Sequence, residues 1–180
     1  DVHFHTHTTI DTLDYSGSGL NQGSKVVMAA AGAKRRELSS NIKELHLPSP
    51  FGNAKSVMPG VVAIQGEKYI NVEITEKQIS QLNYMQGREN CMLIILCDDA
   101  DFVAQSLNNF LWVTFTRSNP ANDIYGVNSF TENKHWGCKG PLIIDARIKP
   151  HHAPPLIKDE TIERRVDKLG EKGKSLYGII

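Results

Sequence analysis

Charge of one sign is not in excess here: twenty Lys and Arg stand against twenty Asp and Glu, for a formal net charge of zero. That removes the simplest electrostatic case for a nucleic-acid or acidic-membrane partner and leaves only a local basic patch to consider. Cysteine is scarce. Cys91, Cys97 and Cys138 are odd in number and show no CxxC spacing, so they read as reduced packing residues of a cytoplasmic protein. No apolar run is long enough to cross a bilayer. Neither G-x-G-x-x-G nor G-x-x-x-x-G-K-S/T occurs, which weakens a phosphate-cradle reading of the glycine-rich loop Tyr15 to Ser24. No self-similar period marks a repeat. The chain opens at Asp1 rather than Met and without a signal peptide, so a fragment of a longer polypeptide is expected.

What is present centres on residues 91–117, CMLIILCDDADFVAQSLNNFLWVTFTR. Cys91 to Leu96 is apolar throughout and too short for an isolated helix, which suits a strand buried on both faces of a sheet covered by helices. Asp98, Asp99 and Asp101 follow at its carboxyl end, where α/β sheets place their ligands. The next segment predicts one helix with Val103, Leu107, Phe110, Leu111 and Phe115 on its buried face, stopped at Pro120. At least one of the aspartates is expected to cap that helix, and Arg117 to pair with Asp98, Asp99 or Asp101.

In the opening segment, alternation puts His3, His5 and His7 on one side of an extended strand. Three imidazoles could hold a zinc or similar ion, but catalytic sites usually draw ligands from several elements, so a polar, hydrogen-bonded strand face involving Asp11 is the preferred reading. Lys25 to Ala31 reads as a short strand and Lys34 to Arg36 as a solvated charge cluster. Pro48, Pro50, Gly52 and Asn53 mark a surface excursion. Val61 to Gln65 is a further strand. Thr75-Glu-Lys-Gln78 has capping-box form and predicts a helix with Ile79, Leu82 and Met85 buried, closed by Gly87. Asp123 to Val127 and Pro141 to Ile148 predict two more strands. After the proline-rich 149–155, Asp159 can cap a last helix with Ile162, Val166 and Leu169 on a narrow apolar stripe. That helix is expected to pack on another subunit or domain. The alternation predicts a three-layer α/β/α domain with a mixed sheet over residues 1–155, followed by a separate carboxy-terminal helix over 156–180.

LCDDAD, LNNFLWVTFTRSNPANDI and GPLIIDARIK together resemble the carboxy-terminal domain of the UbiD family of decarboxylases. The opening DVHFHTHTTIDTLDYSGSGLNQGSKVV is similar to the longer, menaquinone-biosynthesis members of that family, and the resemblance spreads over residues 1–155. It implies a non-oxidative carboxy-lyase acting on aromatic or unsaturated carboxylic acids in ubiquinone or menaquinone biosynthesis. It also implies prenylated FMN, a divalent metal (Mn or Mg) and a monovalent cation in the full-length enzyme, bound by a missing amino-terminal flavin-binding domain. The family's Glu-Arg-Glu network has no counterpart here. No catalytic residue and no cofactor are therefore assigned to this chain, which alone should be inactive. The family's carboxy-terminal domain supplies a substrate-facing wall and homo-oligomer contacts. Motif order places Asn128, Ser129 and Phe130 in that wall, with His135 and Trp136 nearby, although Phe130 and Trp136 read equally well as core residues. A cytoplasmic location follows, peripheral to the membrane if the substrate is prenylated.

LIILCDDAD also resembles the strand and D-x-D of aspartate-nucleophile phosphotransferases, where Asp99 would attack phosphorus and Asp101 would serve as acid and base around magnesium. The usual glycine and small polar residue are replaced by Phe102 and Val103. A non-catalytic assembly module is the third reading.

Overall fold

The computed structural model describes residues 2–9, 19–29, 31–35, 37–153, 157 and 159–179. The expectations for Asp11, for 15–18 of the glycine-rich loop, for Arg36 and for the boundary at 155/156 fall outside the described residues. The chain forms β1 (Val2–Thr8), β2 (Gly23–Met28), β3 (Gly52–Met58), β4 (Val61–Gln65), α1 (Val72–Gln81) and β5 (Leu93–Cys97). It continues through α2 (Ala100–Gln105), α3 (Leu107–Thr116), α4 (Pro120–Asp123), β6 (Ile124–Gly126), β7 (Ser129–Glu132), β8 (His135–Cys138), β9 (Leu142–Asp145) and α5 (Glu160–Gly170).

The main sheet has five strands in the order β3-β4-β5-β9-β6, with β4, β5 and β9 parallel and both edge strands antiparallel. Its centre is the apolar run already legible in the sequence: Ile94, Ile95 and Leu96 are fully buried, flanked by Ile64 and by Ile143 and Ile144. Each such aliphatic side chain contributes about 1.5–3 kcal/mol by leaving water. Alternation sends Ile94 and Leu96 toward Ile79, Leu82 and Met85 on one face, and Ile95 and Cys97 toward Val103, Phe110 and Val113 on the other. Helices thus cover both faces of a mixed sheet in three layers. The β1–β2 hairpin stands outside that sheet and rests on α4, where Ser24 Oγ donates to Asn119 Oδ1 and accepts from Ala121 N at 2.7 Å.

Four expectations change. The helix over 103–115 is two helices, because Ser106 turns to extended backbone and its hydroxyl caps Asn109 N at 3.1 Å. Val103 and Phe110 are buried as predicted, whereas Leu107, Leu111 and Phe115 lie on an exposed face beside Trp112. α1 starts earlier than its capping-box motif: Asn71 is the cap, accepting from Ile74 N at 2.9 Å. Gly52 and Asn53, taken as marks of a surface excursion, open edge strand β3.

Candidate functional site at the carboxyl end of the sheet

Each aspartate of the loop after β5 already has a partner. Asp98 Oδ2 accepts from Ile148 N at 2.8 Å and lies 3.7 Å from Arg117 Nη1, the ion pair expected for that arginine. Asp99 caps α2, accepting from Phe102 N at 3.0 Å. Asp101 is exposed and accepts from Asn53 Nδ2 at 2.7 Å and Lys55 Nζ at 2.7 Å; those contacts hold its carboxyl below the usual range. The loop therefore fixes the junction of β5, β9 and α2.

Beside it lies a charged network that the sequence reading did not single out. Asp145 ends β9 pointing inward, and Arg147 two residues later is held against it in a fork, Nε to Oδ1 at 2.9 Å and Nη2 to Oδ2 at 2.8 Å, with both side chains fully buried. The remaining guanidinium hydrogens go to Thr75 Oγ1 at 2.9 Å, Gln78 Oε1 at 3.1 Å and Glu67 O at 2.8 Å. Thr75 and Gln78 thus direct their side chains to Arg147 rather than to a capping box. Lys149 Nζ, also buried, donates to Asp145 O at 2.8 Å and Arg117 O at 3.1 Å and pairs with Asp123 Oδ2 at 3.3 Å. Burial pushes the Asp123 carboxyl above its ordinary range, opposed by Lys149 and by the Asn119 N–H at 2.6 Å. The signal in the sequence was the spacing Asp145, Arg147, Lys149 at the end of an apolar strand. Three charges at every second position put several on the inward side of extended chain, where they need partners.

This network floors a cleft of about 400 Å³ lined by Tyr69, Val72, Glu76, Asn122, Tyr125 and His151, with Asp123 and Lys149 at its base. The Tyr69 ring lies 5.5 Å from Lys149 Nζ and 5.7 Å from the Arg147 guanidinium. Burial, then Asp123 and Asp145, push both phenols up; Glu76 adds to this at Tyr125.

The other predicted site residues lie elsewhere. β6 runs antiparallel to β9, with Ile124 opposite Ile144 and Gly126 opposite Leu142, so the chain reaches the β7–β8 ribbon at the amino end of the parallel strands. Asn128, Ser129, Phe130 and His135 are therefore separated from Asp98, Asp99 and Asp101 by the length of a strand, roughly 15 Å. Phe130 and Trp136 are 41% and 44% exposed, so neither is a core residue. Phe130 crosses to Gly137 and Trp136 pairs with Thr131, which puts the two rings on opposite faces of the ribbon. Asn128 takes positive φ and donates its N–H to Asn83 Oδ1 at 2.7 Å. In β1, His3 and His5 face Val27 and Lys25, but the register shifts between Thr6 and Thr8 and His7 takes φ 53°, so strict alternation stops before the third histidine. Among the described residues, no three His, Cys, Asp or Glu side chains gather as a metal-holding group.

The chain is 30% identical over 172 residues to a 4-hydroxybenzoate decarboxylase subunit of Chlamydia pneumoniae, covering 93% of this chain and 28% of that protein. It resembles a UbiD-type decarboxylase subunit over nearly its whole length. An uncharacterised protein of Chlamydia trachomatis is 31% identical over 163 residues, and one of Chlamydia muridarum 31% over 170, each aligned along 27% of its length. These alignments cover 89% and 92% of this chain. The chain thus spans about a quarter of the length of the relatives it matches. No protein-family model matches it. No helix among the described residues is long and apolar enough to cross a membrane.

Proposed function

We propose that this chain is the carboxy-terminal domain of a non-oxidative decarboxylase of aromatic or unsaturated carboxylic acids, serving as a substrate-facing wall and an assembly surface. The observation that carries the reading is the 172-residue similarity to a named decarboxylase subunit. The β7–β8 ribbon supplies wall chemistry: an exposed aromatic ring, Phe130, with Ser129 and His135 as polar groups on the same short ribbon. The exposed stripe of α5 supplies the assembly surface. Prenylated FMN, its divalent metal and its monovalent cation belong, on this reading, to the polypeptide outside this chain. No group among the described residues fits the metal, so no chemical step is routed through these cofactors here. Quinone biosynthesis and a cytoplasmic, membrane-peripheral location belong to the same proposal.

The test is to assay the complete gene product for bound prenylated flavin and for carbon dioxide released from 4-hydroxybenzoate and related acids. Phe130→Ala and His135→Ala should lower kcat/KM about ten-fold or more while leaving flavin content unchanged. A flavin-loaded product that releases no carbon dioxide from any aromatic acid would sink the reading. Unchanged kcat/KM in both variants would remove the wall role.

A further inference from the structure

The cleft above the buried charge network holds more polar groups than its own walls satisfy. Among the described residues, the Glu76 carboxylate makes no hydrogen bond or ion pair, and neither the Tyr69 nor the Tyr125 hydroxyl meets a partner. Asp123, whose side chain is only 8% exposed, commits Oδ2 to Lys149 and Asn119 N and leaves Oδ1 without a donor. Glu76 is exposed and the two tyrosines are half-buried, so of these groups Asp123 alone is nearly buried; acceptors and hydroxyls that converge on one concavity of metabolite size are what a ligand site presents.

We propose that this cleft binds an organic cation, a primary ammonium or guanidinium on a short alkyl stem, between Tyr69 and Tyr125, with Glu76 and the free oxygen of Asp123 as counter-charges. Ionised carboxylates only accept hydrogen bonds, so the open groups call for a donor-rich ligand. Tyrosine faces attract cations, as the Tyr69 ring already does toward Lys149 and Arg147. The charges within and behind the cleft agree. Arg147 pairs with Asp145 and Lys149 with Asp123, so each buried cation already has its carboxylate and Glu76 adds a further negative charge at the wall. The upward push on both phenols has burial as its first cause and these carboxylates as its second, with Arg147 opposing them at Tyr69. Lys149 does not fill the role itself, because its hydrogens are committed to the Arg117 and Asp145 carbonyls and to Asp123 Oδ2. Val72 and Ile124 supply apolar wall for the stem. The position, at the carboxyl end of the strands, is where open α/β sheets form their ligand crevice. The proposal is independent of the decarboxylase reading, since an aromatic carboxylate has the wrong charge for this cleft.

An NMR chemical-shift titration of the 180-residue chain with methylguanidinium, butylammonium and, at matched ionic strength, butyrate tests it. Both cations should saturate, with shifts confined to residues 69–76, 119–125 and 149–151, and butyrate should not. Glu76→Gln, at an exposed position of α1, should weaken cation binding about ten-fold, a loss of one unit of log Kd. Tyr125→Phe keeps the ring and should cost less. A blocked tripeptide with a central arginine separates the sources: tighter binding than methylguanidinium assigns the site to a basic side chain of an adjoining polypeptide, and equal binding assigns it to a free amine or guanidine. The proposal is overturned by non-saturating cation shifts, by equal affinity in E76Q, or by butyrate binding as tightly as the cations.

Discussion

At Arg147 the nitrogens of a fully buried guanidinium meet acceptors on β9, on α1 and on the loop before α1. Truncation to Ala would strand Asp145 as an uncompensated charge, so Arg147→Ala should destabilise the fold by about 3–5 kcal/mol, read as a drop in the urea midpoint at constant m. Lys in its place would keep the charge but not the fork, so Arg147→Lys should recover only part of that loss. A second residue links stability to pH. Burial, followed by His151 and Lys149, pushes His152 from its ordinary 6.5 down to about 4. Its Nδ1 accepts from Lys149 N at 3.1 Å, which requires that nitrogen unprotonated. Between pH 4 and pH 6.5 the unfolded chain therefore binds a proton that the folded ring refuses. This stability is full above the upper value and is lost as pH falls through the window. His152→Asn retains an acceptor for Lys149 N and should flatten the wild-type fall in urea midpoint between pH 7 and about pH 4.5. An identical slope in both proteins would contradict the assignment.

Among the elements, those built from uninterrupted apolar runs were legible: β4 matches its expected span, β9 lies within its own, and β5 overlaps the expected Cys91 to Leu96 but runs on to Cys97, because burial on both faces leaves no alternative to a central strand. α5 and its Asp159 cap were legible from a polar-apolar period of helical length. β3 was not, since Gly52-Asn-Ala-Lys-Ser carries little apolar signal and an edge strand is specified by its neighbour. The start of α1 was misread because a capping box is a local pattern, whereas Thr75 and Gln78 answer to an arginine about seventy residues away. The aspartate loop divides in the same way. That one aspartate caps α2 was local and foreseeable; the Asp98 bond to Ile148 N is long-range and was not. Asp99→Ala should cost about 1 kcal/mol through the lost cap, and Asp99→Ser should be close to neutral because serine caps as well. Gly87 is the sharper case. It has positive φ, and a Cβ there would sit 1.8 Å from Glu44 O, against the segment joined by the His46–Gln86 bridge. Gly87→Ala should therefore cost about 3 kcal/mol or more in thermal or urea unfolding, far beyond a helix-closing glycine on the surface.

For the molecule as a whole, two helical faces remain without cover among the described residues. α3 exposes Leu107, Leu111, Trp112 and Phe115 around an arc that a monomeric surface helix normally gives to polar residues. α5 exposes Ile162, Val166 and Leu169, and no residue of it is buried. An isolated helix of eleven residues is marginal in water, so α5 needs a docking surface to persist. Its stripe was visible in the sequence for the reason that its cover was not: periodicity reports that a face is apolar, and only a partner reports what meets it. Because no residue of α5 is buried, deleting residues 156–180 should leave the stability of the remaining domain in urea within about 0.5 kcal/mol of the parent. The same deletion should lower the mass measured by light scattering to that of a monomer if α5 carries the assembly, and Val166→Asp should do so without shortening the chain. A charge placed on the stripe disfavours docking but costs the monomer nothing, which separates an assembly role from a folding role. Unchanged mass in both variants would move the assembly contact to the exposed face of α3, where Trp112→Glu would then be the substitution that dissociates it.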